Sequence, residues 1–248
     1  MAELDYSRHY LRWHSRSDEH FEKQSNGEFY GLKGYLPGDK SARILEFGCG
    51  MGFALAGVRR AGYVNAEGID ASSIQIAAGL ARSLPVRLVS VEETMSFLAG
   101  RVGAYDFIYS MDVIEHIPVD LTVDVLTAIR KCLKPGGKFL CRTPNSDSPV
   151  ATHMRYIDWT HLVSFSDASL DFVLHNAGFV RIEVGPTRDG RPSPRRIEAF
   201  TRWVLRRMMR AVYWLCLFAE FGRLDADRAS LTPNIVGIGY APPSNPQS

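Results

Sequence analysis

Residues 44–52 read Ile44-Leu45-Glu46-Phe47-Gly48-Cys49-Gly50-Met51-Gly52, a short apolar and acidic run followed by glycine at every second position. The run predicts a buried strand that enters a tight turn. Glycine permits a positive φ and removes the Cβ that would hold a ligand away from the backbone. Because the next segment, Phe53-Ala54-Leu55-Ala56, fits a helix, we expect a strand–loop–helix unit with a ligand at the helix N-terminus.

The glycine spacing separates this loop from the usual dinucleotide-binding turn. That turn has the pattern G-x-G-x-x-G, whereas this chain has G-x-G-x-G with Glu46 two residues ahead. A carboxylate beside the loop would repel a pyrophosphate but attract a ligand that carries an ammonium group and a sulfonium. The stretch resembles the first motif of class I S-adenosylmethionine-dependent methyltransferases. The resemblance implies S-adenosyl-L-methionine as cofactor, with contacts from Glu46, Gly48, Cys49, Gly50 and Gly52.

Four further landmarks follow in the order that this family shows. Residues 66–70 predict a second strand whose last residue, Asp70, can accept hydrogen bonds from both ribose hydroxyls. Residues 86–91 predict a third strand. A fourth strand covers residues 105–110, and residues 133–141 contain a helix end, a Pro-Gly-Gly turn and a fifth strand.

The resemblance also assigns cofactor contacts after these strands. Glu92, just past the third strand, is implied to meet the adenine amine, while Val91 flanks the ring. The other implied contacts are Ala71 after the second strand, and Ser110 and Met111 at the end of the fourth.

Composition excludes several classes of protein. The 248 residues carry a net charge of only +2, so the whole molecule is not an electrostatic partner for nucleic acid. The four cysteines form no C-x-x-C pair, which favours reduced thiols in an intracellular protein over a disulfide or zinc site. There is no signal pattern at residues 1–6 and no apolar run as long as a membrane span, so we expect a cytoplasmic protein.

The chain divides into four predicted units. They are an N-terminal helical cap at 1–40, a methyltransferase domain at 41–185 and 234–241, an inserted loop and basic amphipathic helix at 186–233, and a disordered tail at 242–248. A sixth strand is predicted at 179–184 and a seventh at 234–240, with a loop at 146–165. The expected fold is α/β: a Rossmann-like, seven-stranded, mainly parallel sheet with helices on both faces. By resemblance, its last strand is antiparallel.

The segment 197–221 has a helical pattern with two different sides. At about 100° per residue, one side gathers Ile197, Phe200, Val204, Leu205, Met208, Val212 and Leu215, and the other gathers Arg195, Arg202, Arg206 and Arg210. Two interpretations stay open. The helix packs against a second subunit or the core, or it lies in the plane of a membrane surface, on the inner face, with arginines meeting anionic headgroups.

Methyl transfer to a hydroxyl needs an aligned acceptor and a base. His116 is the leading candidate, because it follows the fourth strand at the edge where ligands bind and titrates near neutrality. Its alternative role is a helix-capping or cofactor-side contact. Glu115 would orient the ring or help to hold a divalent cation, as some O-methyltransferases with a Glu-His pair here use magnesium. No complete ligand set is visible, so we predict no required metal.

A second cluster, Asp158-Trp159-Thr160-His161, lies in the loop after the fifth strand. With the segment up to Phe165 it resembles bacterial methyltransferases associated with cell-surface polysaccharide synthesis. Carboxylate, imidazole and indole together also suit sugar recognition. The expected acceptor contacts are Tyr30, Arg155, Asp158 and Trp159, with His161 as a second catalytic candidate. Alternatively, His161 and Trp159 only hold the loop on the core.

These features together predict O-methylation of a sugar hydroxyl in a bacterial surface glycan or its lipid-linked precursor. One alternative is methylation of a quinone precursor or another lipophilic phenol, and another is a non-catalytic subunit that binds a partner through 197–221. A nucleic-acid methyltransferase is disfavoured, because the chain has no N-P-P-Y-type tetrapeptide after the fourth strand. The oligomeric state is left open.

Overall fold

The computed structural model describes residue 15 and residues 17–187 and 196–244. In this part of the chain, seven strands form one sheet of order β3-β2-β1-β4-β5-β7-β6. The strands are β1 Ile44–Phe47, β2 Ala66–Asp70, β3 Val86–Leu88, β4 Tyr105–Met111, β5 Leu133–Pro144, β6 Val180–Pro186 and β7 Asn234–Tyr240. The first five strands pair in parallel, and β7 runs antiparallel to both of its neighbours. The predicted Rossmann-like sheet with an antiparallel last strand is confirmed.

Helices connect the strands. They are α1 Asp18–Leu32, α2 Phe53–Arg60, α3 Ser73–Leu80, α4 Val91–Ala99, α5 Val119–Cys132, α6 Ala151–Tyr156, α7 Asp167–Asn176, α8 Arg196–Phe221 and α9 Arg223–Arg228, with a 3-10 turn at Ile114–His116. The long helix α8 lies between β6 and β7, where the sequence places it. No helix in the described ranges combines the length and apolar character that a membrane crossing requires.

Alternate residues of the central strands enter two separate cores. In β4, Phe107 and Tyr109 pack with residues of α1, α2 and α3, while Ile108 packs with residues of α4, α5 and α7. Side chains alternate across a strand. Buried strands covered on both faces therefore read as continuous apolar runs, and this explains the apolar character of β1 and β4.

The structure corrects the predicted end of the third strand. It stops at Leu88, and Ser90 caps the following helix: its hydroxyl accepts from Glu93 N while the Glu93 carboxylate accepts from Ser90 N. This reciprocal capping satisfies two N–H groups at the helix start. Val91 is therefore the first residue of α4 rather than the last residue of a strand.

Other boundaries also differ from the prediction. The segment 146–165, predicted as a loop, contains the short helix α6, and β6 begins one residue later and ends two residues later than predicted. The division into four units stays a prediction, since residues 1–14, 16, 188–195 and 245–248, including Arg195, lie outside the described residues.

Candidate active site

The loop after β1 folds back onto the end of β2. Gly48 N and Cys49 N both donate to Ile69 O, at 2.9 and 2.8 Å. Gly48 has a φ of +75°, and a Cβ at this position would lie 2.3 Å from Cγ2 of Val113. Only glycine fits here, because any side chain would collide with Val113 and strain the backbone.

The buried carboxyl group of Glu46 and the half-buried one of Asp70 brace this loop. Asp70 accepts from Gly50 N and Ser72 N, both at 2.8 Å. Glu46 accepts from Leu55 N at 3.0 Å, at the start of α2, and from the Tyr109 hydroxyl at 3.1 Å. Burial raises the pKa of both acids, and the backbone donors around Asp70 oppose that rise.

A cavity of about 1080 Å³ opens beside these groups. It is large enough for a nucleoside-sized ligand with room for an acceptor. Of the predicted cofactor residues, those that line it are Glu46, Gly48, Cys49, Gly50, Asp70, Ala71, Val91 and Met111. The cradle left by the glycine loop and the open lone pairs of Asp70 fit the predicted cofactor.

Three predicted cofactor residues do not line the cavity. Gly52 instead caps α2, one residue before the helix begins, with a φ of +81°. Glu92 is exposed in the first turn of α4, because the strand ends at Leu88 and a helix begins at Val91. Ser110 is fully buried in β4, and its hydroxyl has no hydrogen-bond partner.

The far part of the cavity has an apolar wall and a small polar group. The wall consists of Ile117, Pro118, Leu121 and Val125, and the polar side chains are His116, Asp158 and His161. This composition suits a flat apolar ligand with one or two polar atoms.

His116 is oriented by the loop after β5. Its Nδ1 lies 2.9 Å from Thr160 Oγ1 and 3.2 Å from Thr160 O, and Thr160 Oγ1 in turn donates to Asp158 Oδ1 at 2.6 Å. Because the Thr160 carbonyl oxygen can only accept, we place the imidazole proton on Nδ1, which donates to Thr160. The assignment leaves Nε2 as the basic atom. Burial, aided by neighbouring His161, lowers the pKa of His116, so the ring is neutral at neutral pH.

Glu115 and His161 lie behind His116. His161 Nδ1 donates to Met154 O at 2.9 Å, and its Nε2 lies 3.9 Å from Glu115 Oε1. Glu115 is fully buried and accepts from Thr143 Oγ1 at 3.1 Å, while its Oε1 has no hydrogen bond. Glu115, His116 and His161 each offer a ligand atom, all within 4.8 Å of one another, so they could hold a divalent cation. That no metal is required stays a prediction, which an assay with and without a chelator tests.

We expect Glu115→Gln to raise the thermal stability of the protein at alkaline pH. Burial, reinforced by the charge of Asp112, raises the pKa of Glu115 well above its ordinary value. Between its unfolded and folded pKa the native state holds a proton that the unfolded chain releases, so stability falls as the pH rises. Glutamine mimics the protonated acid and removes this loss. Melting curves from pH 5 to about pH 9 should converge at the acid end and separate at the alkaline end.

The exposed Glu92→Gln is the matched control and should follow the wild-type curve at every pH. A Glu115→Gln variant that is less stable than the wild type throughout would show that Glu115 is ionised in the folded protein.

The structure does not bring together three of the predicted acceptor residues. Trp159 is 86% exposed, and neither it nor Tyr30 or Arg155 lines the cavity. Arg155 donates to Leu162 O at 3.0 Å, which braces the loop. Tyr30 carries Lys33 Nζ over its ring at 4.5 Å. Of the four, only Asp158 lines the cavity.

Sequence reasoning missed a charged network in the cavity wall. Arg142 donates through Nη1 to Glu28 of α1 at 2.7 Å and through Nε and Nη2 to Asp112. Although burial opposes its charge, these two carboxylates hold the pKa of Arg142 above its ordinary value. Asp112 has a φ of +57°, a value uncommon for aspartate. The network ties α1 to β5 and to the residue after β4, and its members lie so far apart along the chain that no local sequence pattern signals it.

The sheet order, the glycine loop and the acid at the end of β2 define a class I methyltransferase. The family described as "Methyltransferase domain" matches residues 21–184, so the chain belongs to this family. Its domain is that of an S-adenosylmethionine-dependent methyltransferase, with S-adenosyl-L-methionine as the cofactor.

Two curated relatives and one solved structure show what this chain is similar to. The chain is 31% identical over 134 residues to a "Ubiquinone biosynthesis O-methyltransferase" of Roseobacter denitrificans, covering 50% of this chain and 49% of that one. It is 29% identical over 158 residues to a "tRNA U34 carboxymethyltransferase" of Azotobacter vinelandii, covering 58% and 47%. The matches thus span about half the length of these curated relatives. A methyltransferase structure from Archaeoglobus fulgidus shares the fold, with a TM-score of 0.65, 17% identity, and coverage of 96% of this chain and 100% of that one.

Proposed function

We propose that this protein O-methylates a lipophilic phenol, such as a quinone precursor. The observation that carries the proposal is the orientation of His116, whose Nδ1 is held by Thr160 so that Nε2 is the basic atom beside an apolar wall. The similarity to ubiquinone O-methyltransferases supports the same acceptor class. The reported relatives give the alternative acceptor, a sugar hydroxyl, no support.

The cofactor is assigned to the part of the cavity formed by the glycine loop. Asp70 would accept from the ribose hydroxyls, and Glu46 would face the ammonium end of the ligand. Gly48 and Gly50 allow the backbone to approach, while Val91 and Met111 supply apolar contacts. When bound, the cofactor supplies a methyl group already activated by its sulfonium.

The acceptor is assigned to the part of the cavity near His116. The apolar wall at Ile117, Leu121 and Val125 packs the ring and excludes water from the hydroxyl. His116 Nε2 takes the hydroxyl proton, and the imidazolium is stabilised through Thr160 by the carboxylate of Asp158. Thr160 and Asp158 are positioning residues, because they act through His116.

The basicity of His116 favours a phenol over a sugar hydroxyl. Proton transfer is most efficient when donor and base have similar pKa values. A phenol has a pKa of about 10, as in tyrosine, whereas an aliphatic alcohol is several units less acidic. Burial lowers the pKa of His116 and widens its distance from the pKa of both acceptors equally, so the phenol stays the closer match. Trp159, the expected stacking face for a sugar, also lies outside the cavity.

A panel of acceptors tests this proposal. Purified protein and methyl-labelled cofactor are incubated with a catechol that bears a long prenyl tail, a catechol without the tail, an alkyl glycoside and transfer RNA. We expect label on the tailed catechol first and on the short catechol at higher concentration. Label on the glycoside alone would favour the sugar acceptor instead, and label on RNA alone would favour methylation of RNA.

Thr160→Val should lower kcat for the phenol by about three- to tenfold, the worth of one hydrogen bond. Valine has the shape of threonine but cannot link His116 to Asp158. Thr160→Ser keeps the hydroxyl and should restore the rate, while KM for the cofactor stays unchanged in both. The exposed Thr152→Val is the matched control. Equal losses in the valine and serine variants would mean that the methyl group, not the hydroxyl, matters.

A further inference from the structure

Helix α8 exposes an apolar side and has a partly covered opposite side that carries Arg206 and Arg210. Besides Trp203, Met209 and Phe221, which are exposed elsewhere on the helix, seven exposed apolar residues lie within about 140° of its circumference at 100° per residue. We name this set the apolar strip: Ile197, Phe200, Leu205, Met208, Val212, Leu215 and Phe218, each between 45% and 86% exposed. The residues on the opposite side, Arg206, Arg210, Tyr213 and Leu217, are partly covered. A surface helix that packs on its own core shows the reverse arrangement.

Within the described residues, the main packing partner of α8 is the short helix α9. Trp214 Nε1 donates to Asp227 Oδ1 at 3.0 Å and stacks on Phe218, with ring centroids 5.4 Å apart. This contact fixes the C-terminal half of α8, and none of the elements that the structure describes covers the strip. Contiguous exposed apolar surface of this kind marks a binding face.

The charges beside the strip select its partner. On the helical projection, Arg207 borders the Phe200 edge of the strip and Arg202 lies beyond the Leu205 edge, and both are exposed. Residues 196–210 contain five arginines and one glutamate. Arginines at the edges of an apolar face extend their stems along it and place their guanidinium groups at the level of anionic headgroups.

Aromatic side chains reinforce this arrangement. Phe200 stacks on Trp203 with ring centroids 6.0 Å apart, and the Arg207 guanidinium lies 4.9 Å from the centroid of the Trp203 ring. Indole beside arginine at the border of an apolar face suits the boundary between headgroups and acyl chains.

The charges, rather than the spacing, distinguish a lipid surface from a second copy of the helix. A coiled-coil seam runs without a charge along Ile197, Thr201, Val204, Met208, Ala211, Leu215 and Phe218, so the spacing alone would also suit helix pairing. The five arginines against one glutamate in residues 196–210 would repel a second copy alongside and attract an anionic surface. We therefore propose that α8 docks the protein in the plane of an anionic lipid surface, with the apolar strip inserted between the lipids. The proposal goes beyond the methylation chemistry, although a membrane-bound position would suit a lipophilic acceptor.

Vesicle flotation of the full chain tests the docking without any acceptor. The vesicles consist of phosphatidylcholine alone or with phosphatidylglycerol as a minority lipid, each at low and high salt. We expect the protein to float with the anionic vesicles and less so at high salt, because salt screens the arginines. The double variant Phe200→Glu, Leu215→Glu should lower the affinity on the order of a hundredfold, and Arg202→Gln, Arg207→Gln by about fivefold per arginine.

The matched control variants change exposed residues elsewhere on the surface. Phe172 is as exposed as Phe200, at 64% against 65%, so Phe172→Glu should bind vesicles like the wild type. Arg87→Gln removes an exposed charge at the opposite edge of the sheet and should also have no effect. Binding of S-adenosylhomocysteine, measured by calorimetry, should be the same in all variants and shows that each one folds.

Two results would overturn the docking proposal. In the first, the wild-type protein stays in the unbound fraction even at low salt. In the second, light scattering shows a dimer, and only the Phe200→Glu, Leu215→Glu variant is monomeric. The second result would assign the strip to a subunit interface. Neither result bears on the acceptor, so failure here is distinct from failure of the phenol proposal.

Discussion

Asp70→Asn is expected to weaken cofactor binding on the order of a hundredfold or more, since two hydrogen bonds to a charged group are lost or weakened. The carboxylate is placed to receive both ribose hydroxyls, and it also holds the loop through Gly50 N and Ser72 N. Asparagine has one acceptor oxygen, so its amide nitrogen would face one of these backbone donors. Isothermal calorimetry with S-adenosylhomocysteine measures the effect.

Asp171→Asn is the control for this prediction, because Asp171 is exposed on α7, away from the cavity lining. It should bind the cofactor product like the wild type. A melting temperature for Asp70→Asn near that of the wild type would show that binding, not folding, was lost. Unchanged binding by Asp70→Asn would remove the ribose role from this residue.

His116→Gln is expected to lower kcat for the phenol by roughly a hundred- to ten-thousandfold, the usual worth of a general base. Cofactor binding should be retained, because the assigned cofactor contacts lie at the glycine loop. In the wild type the rate should rise with pH as the imidazole loses its proton. Burial lowers the pKa of His116, so the midpoint of this rise should lie below the ordinary histidine value of about 6.5.

The pH profile separates catalysis from structure. The acid limb should disappear in His116→Gln and persist in His175→Gln, an exposed histidine at the end of α7. A His116→Gln variant that binds cofactor poorly but keeps a normal kcat would assign the residue to the cofactor side instead. An acid limb that survives would place the base elsewhere, with His161 as the next candidate.

The sequence predicts the sheet well because its signals are local. Each strand of the core reads as an apolar run, and Gly48 and Asp70 stand at strand ends, where the chain must turn and ligands bind. The position of α8 is predictable for the same reason, since its pattern extends over seven turns without proline or glycine.

The acceptor end of the cavity is less predictable, because it is built by contacts between distant segments. Leu162 N donates to Glu115 O at 2.8 Å, which brings the loop after β5 onto the 3-10 turn and places Thr160 beside His116. Nothing near Thr160 in the sequence signals this contact. The same holds for Glu28 and Arg142, which lie 114 residues apart and meet in the cavity wall.

The solvent exposure of a side chain also cannot be predicted from its residue type. Trp159 suits sugar stacking by its chemistry, yet the Asp158–Thr160 turn directs it to solvent. The strip on α8 is likewise apolar by sequence, but only the structure shows that it faces outward.

The most direct test of the phenol proposal uses the natural acceptor without naming it beforehand. Purified protein and methyl-labelled cofactor are incubated with an extract of cells that lack the gene, and the extract is separated into isoprenoid quinones, lipid-linked glycans, nucleic acid and protein. We predict label in the quinone-precursor fraction as an aryl methyl ether, absent with Asp70→Asn and strongly reduced with His116→Gln. Label confined to the glycan or nucleic-acid fraction, with the same dependence on Asp70, would contradict the proposed acceptor.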